Sequence, residues 1–156
     1  MSQNPDVDKI PYSGLQTIDL QHRQIASLIE KLLGLAEKWS AHSGDSLKYR
    51  EAFQYALHDL FMFYVEHFQF EENLSVTFQF PDLAEHRNAH TKILAYVAQC
   101  THALAVGKEV DLVEVAQFLA TAYKQHEVDD DPCYVCFLLG NVEIRKDRAK
   151  ASKSLS

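Results

Sequence analysis

Four separate segments of this chain place apolar or ligand-type residues on alternating steps of three and four, the spacing that turns one face of a helix toward a core. The first stripe is Ile18, His22, Ile25, Ile29, Leu32, Ala36 and Trp39, ending before the turn-like His42, Ser43, Gly44, Asp45. The second is Phe53, Leu57, Leu60, Tyr64, His67 and Glu71. Pro81 forbids a continuous helix there, and Asp82 with Glu85 has the spacing of a capping box that opens the third stripe: Leu83, His86, His90, Ile93, Val97, Cys100 and Leu104. After Gly107, a helix starting near Asp111 and Glu114 carries Leu112, Val115, Leu119, Ala122 and His126. No segment alternates as a strand would. Short connections between long helices make neighbours antiparallel, so the expected fold is all-α: an up-down-up-down antiparallel four-helix bundle over 17–140, with an N-terminal arm at 1–16 and a short basic tail at 141–156.

The anomaly is polar. Five of the eight histidines, with Glu71, stand on stripes that should be apolar. One imidazole in a core can find one partner. Five beside a glutamate carry a prohibitive desolvation cost unless they satisfy one another or a cation. His67 with Glu71, and His86 with His90, are i,i+4 pairs that lie above one another on a helix face. His22 and His126 add single donors from the first and fourth helices. Asp131, five residues after His126, stands about 140° away on an ideal helix and needs a π-type widening or a bend to point inward. Pro132 favours such a departure, because it disfavours α geometry at the residue before it. Five imidazoles and two carboxylates are too many for one ion and suit two. The donor types fit iron, copper, zinc or nickel, and chemistry alone leaves the metal open.

The motifs Ile18-Asp19-x-Gln21-His22, His67-Phe68-x-x-Glu71-Glu72, Pro81 followed by His86-x-x-x-His90, and His126-x-x-x-x-Asp131-x-x-Tyr134 resemble those of the hemerythrins, including the bacterial ones, over about residues 12–137. The resemblance implies a di-iron centre in which His86, His90 and His126 bind one iron and His22 and His67 the other. Glu71 and Asp131, with an oxo or hydroxo group, would bridge the pair. One coordination position on the second iron is then left for oxygen, a related small diatomic or peroxide. Asp19 and Gln21 are candidates to orient ligand imidazoles, with a helix-start role for Asp19 as an alternative. Tyr134 reads as a packing residue.

The chain departs from the family around the expected oxygen pocket. A bulky apolar residue usually follows the fourth-helix histidine, with Trp-Leu four and three places before it; here these are Glu127, Ala122 and Tyr123. Ile25 keeps its apolar character, and Ser75 replaces a common methionine. Glu127 either enters the pocket, where it could even ligate iron, or faces solvent with Asp129 and Asp130. A carboxylate and a phenol in the pocket would shift the site from reversible binding of O2 (storage, delivery or sensing) toward redox or enzymatic chemistry on peroxide, nitric oxide or O2. A third alternative is a signalling or structural bundle that reports redox state through its tail or through Cys133 and Cys136. His42, His58 and His102 fall outside the ligand pattern and read as surface or packing residues.

Composition narrows the partners. With 156 residues, 47% of them apolar and only 5 Gly and 4 Pro, one ordered domain is the simplest account. A formal net charge of -7 argues against nucleic acid. No run of about 20 apolar residues exists for a membrane span, and the polar start lacks a signal-peptide pattern, so a cytoplasmic location is expected. Arg145, Lys146, Arg148, Lys150 and Lys153 make the tail basic, which reads as a solvated extension or as a dock for an acidic protein. The three cysteines cannot all pair, and a lone C-x-x-C lacks the second pair that a zinc site needs. Cys133 and Cys136 are therefore expected to be buried or half-buried thiols, with a redox role as the alternative. The sequence leaves the oligomeric state open.

Overall fold

A computed structural model describes residues 15–42, 46–130 and 134–140, without the side chains of 128–130. The N-terminal arm apart from its last two residues, the turn at 43–45, Asp131, Pro132, Cys133 and the basic tail lie outside the described residues. Those described are all-helical and contain no strand. α1 spans Gln16–Ala41, α2 Ser46–Phe78, α3 Leu83–Ala105 and α4 Leu112–Tyr123. α4 continues directly into a π-helical segment, Lys124–Asp130, and a short helix, α5, follows at 134–140.

The stripes account for which faces are buried. Ile18, His22, Ile25, Ile29, Leu32 and Ala36 are all buried on α1, and Phe53, Leu57, Leu60, Tyr64, His67 and Glu71 on α2. α1 packs along α2 and α4, and α2 along α3. α2 begins at Ser46, about two turns before its first stripe residue.

Local chemistry sets the helix ends. At the start of α4 the Asp111 carboxylate accepts hydrogen bonds from the backbone N–H groups of Val113 and Glu114, at 2.9 and 3.1 Å. The capping box expected at α3 does not form. Asp82 occupies the N-cap position, but its side chain makes no capping bond, because its φ of -98° and ψ of 25° depart from the extended conformation that aims a cap at the helix. Gly107, at φ 75°, closes α3: its N–H bonds to Leu104 O, and that of Lys108 to Ala103 O. The Arg50 guanidinium crosses from α2 to donate to Lys108 O at 2.6 Å. α2 ends in the same way on Gln79, a non-glycine at φ 57°, with Phe80 N–H bonded to Ser75 O at 2.9 Å.

The apolar interior falls into two clusters. The larger joins Ile25, Ile29, Leu32, Phe53, Leu57, Leu60, Val97, Leu104, Leu112 and Leu119. The smaller joins Ile18 of α1 to Tyr134, Val135 and Leu138 of α5, with Phe70, Leu74, Phe78 and Phe80 packed around them. On α1, His22 lies between Ile25 of the first cluster and Ile18 of the second; on α2, Glu71 lies between Phe68 and Leu74. His22 and Glu71 therefore lie between two apolar blocks. No described helix is long and apolar enough to cross a membrane.

Candidate metal centre

Each helix delivers its donors by periodicity. His67 and Glu71 sit one turn apart on α2, with His67 Nε2 3.4 Å from Glu71 Oε1. His22 of α1 brings its Nε2 to 3.7 Å from the same oxygen. The other oxygen, Oε2, faces α3: His86 Nε2 lies 3.2 Å away and His90 Nε2 3.3 Å away. His126 joins this second side from the π segment. Two groups result, Glu71 with His86, His90 and His126, and Glu71 with His22 and His67; within each, donor atoms lie within 4.8 Å of one another. Six of the seven expected donors thus converge, and Glu71 belongs to both groups. The seventh, Asp131, lies outside the described residues. The π-type widening expected after His126 is present over Lys124–Asp130.

Hydrogen bonds behind the rings fix which nitrogen faces the centre. His67 donates its Nδ1–H to Gln21 Oε1 at 2.9 Å, as proposed for Gln21 from sequence. His90 donates its Nδ1–H to Glu72 Oε1, also at 2.9 Å. In a neutral ring so engaged, Nε2 carries a lone pair. For both residues that lone pair points at a carboxylate oxygen, acceptor against acceptor, and Nε2 of His67, Nε2 of His90 and Oε1 of Glu71 are buried with no hydrogen bond. Only a proton or a cation between them resolves the conflict. Burial opposes the proton, holding His67 down to about 4 from an ordinary 6.5 against the opposing pull of Glu71. His126 is likewise held down to about 3, chiefly by burial. Burial alone would raise the pKa of Glu71, but the surrounding imidazoles outweigh it and keep the carboxyl well below its usual range.

The spacing also fits a cation. A metal about 2.1 Å from a nitrogen and from an oxygen separates the two by about 3.0 Å at a right angle and about 3.4 Å at a tetrahedral one. Three of the four nitrogen to Glu71 oxygen distances, 3.2 to 3.4 Å, lie in this range, and that of His22 slightly exceeds it. The residues present therefore suit a metal, with Glu71 offering one oxygen to each side.

Packing holds the rings in place. Phe68 stacks on His90 with centroids 3.9 Å apart and planes 7° from parallel, and meets His126 edge-on at 5.5 Å. Tyr134 stacks on His86 at 4.8 Å, and its hydroxyl donates to the Glu71 backbone carbonyl at 2.7 Å. Ser75 Oγ donates to the same carbonyl at 2.9 Å. Tyr134 thus does more than pack. Asp19 lies in the first turn of α1, where a carboxylate complements the helix N-terminus, and is buried there.

Ile25 and Tyr123 are buried, Ala122 is half-buried against the core, and the Tyr123 hydroxyl donates to His22 O at 3.4 Å. Glu127 is 1% exposed, so the solvent-facing alternative does not hold; it belongs to neither donor group. The π segment, which redirects the residues after His126, accounts for this burial. His42, His58 and His102 are exposed. Cys136 corrects the expectation of a buried or half-buried thiol: it is exposed, because α5 turns Tyr134, Val135 and Leu138 inward.

The residue pattern alone assigns no role to Glu72 or Phe68. The available signals were an acidic residue beside the i,i+4 pair and an aromatic one position after His67. The model of the hemerythrin HHE cation-binding domain matches residues 13–131. Neither curated proteins nor solved structures give a significant match. The matched span covers every converging donor, and the chain belongs to the hemerythrin HHE cation-binding family.

Proposed function

We propose that the chain is a non-haem di-iron protein, built as an up-down-up-down four-helix bundle, that binds O2 for storage, delivery or sensing. The observation that carries this reading is the sharing of Glu71: one oxygen faces His22 and His67, the other His86 and His90. In this reading His86, His90 and His126 would hold one iron and His22 and His67 the other, with Glu71 and Asp131 as the carboxylates that would serve both. When bound, the irons would supply the electrons for O2 or a related small diatomic. The chain's own residues do the rest. Gln21 and Glu72 fix the tautomers of His67 and His90, Phe68 and Tyr134 hold ring orientation, and Ile25 contributes an apolar wall.

The burial of Glu127 and Tyr123 favours a second reading, in which a more polar interior gives protons a route to the site and turns it toward reduction of peroxide, nitric oxide or O2. Adding air to the anaerobic, reduced, iron-loaded protein decides between them. Reversible binding requires a visible charge-transfer absorption that disappears on deoxygenation; immediate, irreversible oxidation contradicts it. Under the second reading, Glu127→Ile lengthens the life of the oxygenated form and slows peroxide turnover, and unchanged values in both would remove Glu127 from that chemistry.

A further inference from the structure

Two imidazoles of the cluster are backed by chemically different groups. Behind His67 stands the Gln21 amide, and behind His90 the Glu72 carboxylate, each taking an Nδ1–H at 2.9 Å. These rings belong to different donor groups, His67 with His22 and His90 with His86 and His126. Glu72 uses its second oxygen for Arg87 Nε, at 3.1 Å, and the Arg87 side chain is 50% exposed, so water screens that pair and Oε1 remains committed to His90.

A carboxylate that accepts Nδ1–H pushes electron density into the ring and makes Nε2 a stronger donor; a neutral amide does so far less. The His86, His90 and His126 side therefore holds three imidazoles, of which His90 is charge-backed, whereas His67 on the other side is backed by a neutral amide. The shared carboxylate of Glu71 serves both sides and does not produce the difference. We propose that Glu72 and Gln21 set the two metal positions apart, so that the His86, His90 and His126 position fills first and more tightly and the His22 and His67 position second. Glu72 acts through His90 as a positioning residue. This rests on the two-metal reading above.

The test is an anaerobic titration of the full-length, metal-free protein with Co(II), followed by calorimetry and visible d–d absorption. The wild type should bind two ions in two steps at least about 10-fold apart, and Glu72→Gln should weaken the first step about 10- to 100-fold while sparing the second and the unfolding midpoint of the metal-free protein. Gln21→Glu should strengthen the second step, and because it leaves Glu72 in place it decides the matter even where Glu72→Gln folds poorly. Two wild-type steps of equal affinity would overturn the proposal. So would equal weakening of both steps by Glu72→Gln together with a lowered unfolding midpoint, the mark of a structural role. A wild-type protein that binds no cobalt at all defeats the two-metal reading itself, a result distinct from two equal steps.

Discussion

The Tyr134 hydroxyl donates to the backbone carbonyl of Glu71 at 2.7 Å, tying α5 to the residue that both donor groups share. The same ring stacks on His86 at 4.8 Å. Tyr134→Phe keeps the stack and loses the bond, and should lower stability by about 1 kcal/mol in urea unfolding. Tyr134→Ala loses both and should cost about 3 kcal/mol or more. Equal losses in the two variants would show that the stack contributes nothing.

Acid should destabilise the metal-free protein earlier than carboxylate titration alone would. Unfolded imidazoles take up protons near 6.5, whereas His67 does so only near about 4 and His126 near about 3 when folded. Between those values the unfolded state binds more protons, so stability rises with pH, is fully present above about 6.5, and is lost progressively as pH falls toward about 3. Glu71, also held below its ordinary value, adds a loss beneath the usual carboxylate range. Urea midpoints measured at pH 7.5, 6 and 5 should fall in that order; a flat profile across them would show that these rings are not kept neutral by burial.

Removing the shared carboxylate should affect both positions. Glu71→Gln leaves the helix intact but takes away the charge facing four imidazoles, so bound metal should drop to one ion per chain or fewer under loading that saturates the wild type. Retention of two ions with unchanged affinity would mean that the bridge lies elsewhere.

Asp111 provides a control remote from the centre. It caps α4 through two backbone N–H groups, so Asp111→Ala should cost about 1 kcal/mol in stability and leave metal content unchanged. Metal loss in a variant that is still folded would show that α4 transmits strain to His126.

Much of this arrangement is legible in the residue pattern, because periodicity and desolvation act locally. The three-and-four spacing on α1 names its buried face, and the same spacing makes His22 anomalous there. The five-residue step from His126 to Asp131 calls for a wider turn, and Lys124–Asp130 is π-helical. What spacing cannot show is which groups meet across helices. Glu72 supports His90 from another helix, and Tyr134 reaches Glu71 from 63 positions away in the chain. The fate of Glu127 also depended on the π segment, since on an ordinary helix the residue after an inward ligand turns about 100° away from it. Asp82 shows the opposite failure, where a capping-box spacing is present but the backbone dihedrals do not permit the bond.

The most direct test of the whole account is metal analysis of the full-length protein after anaerobic loading with ferrous iron and removal of excess. Two irons per chain are predicted, falling in His67→Ala and His90→Ala variants that remain folded. A folded wild-type protein holding far less than two would contradict the central claim that these side chains meet around a pair of ions.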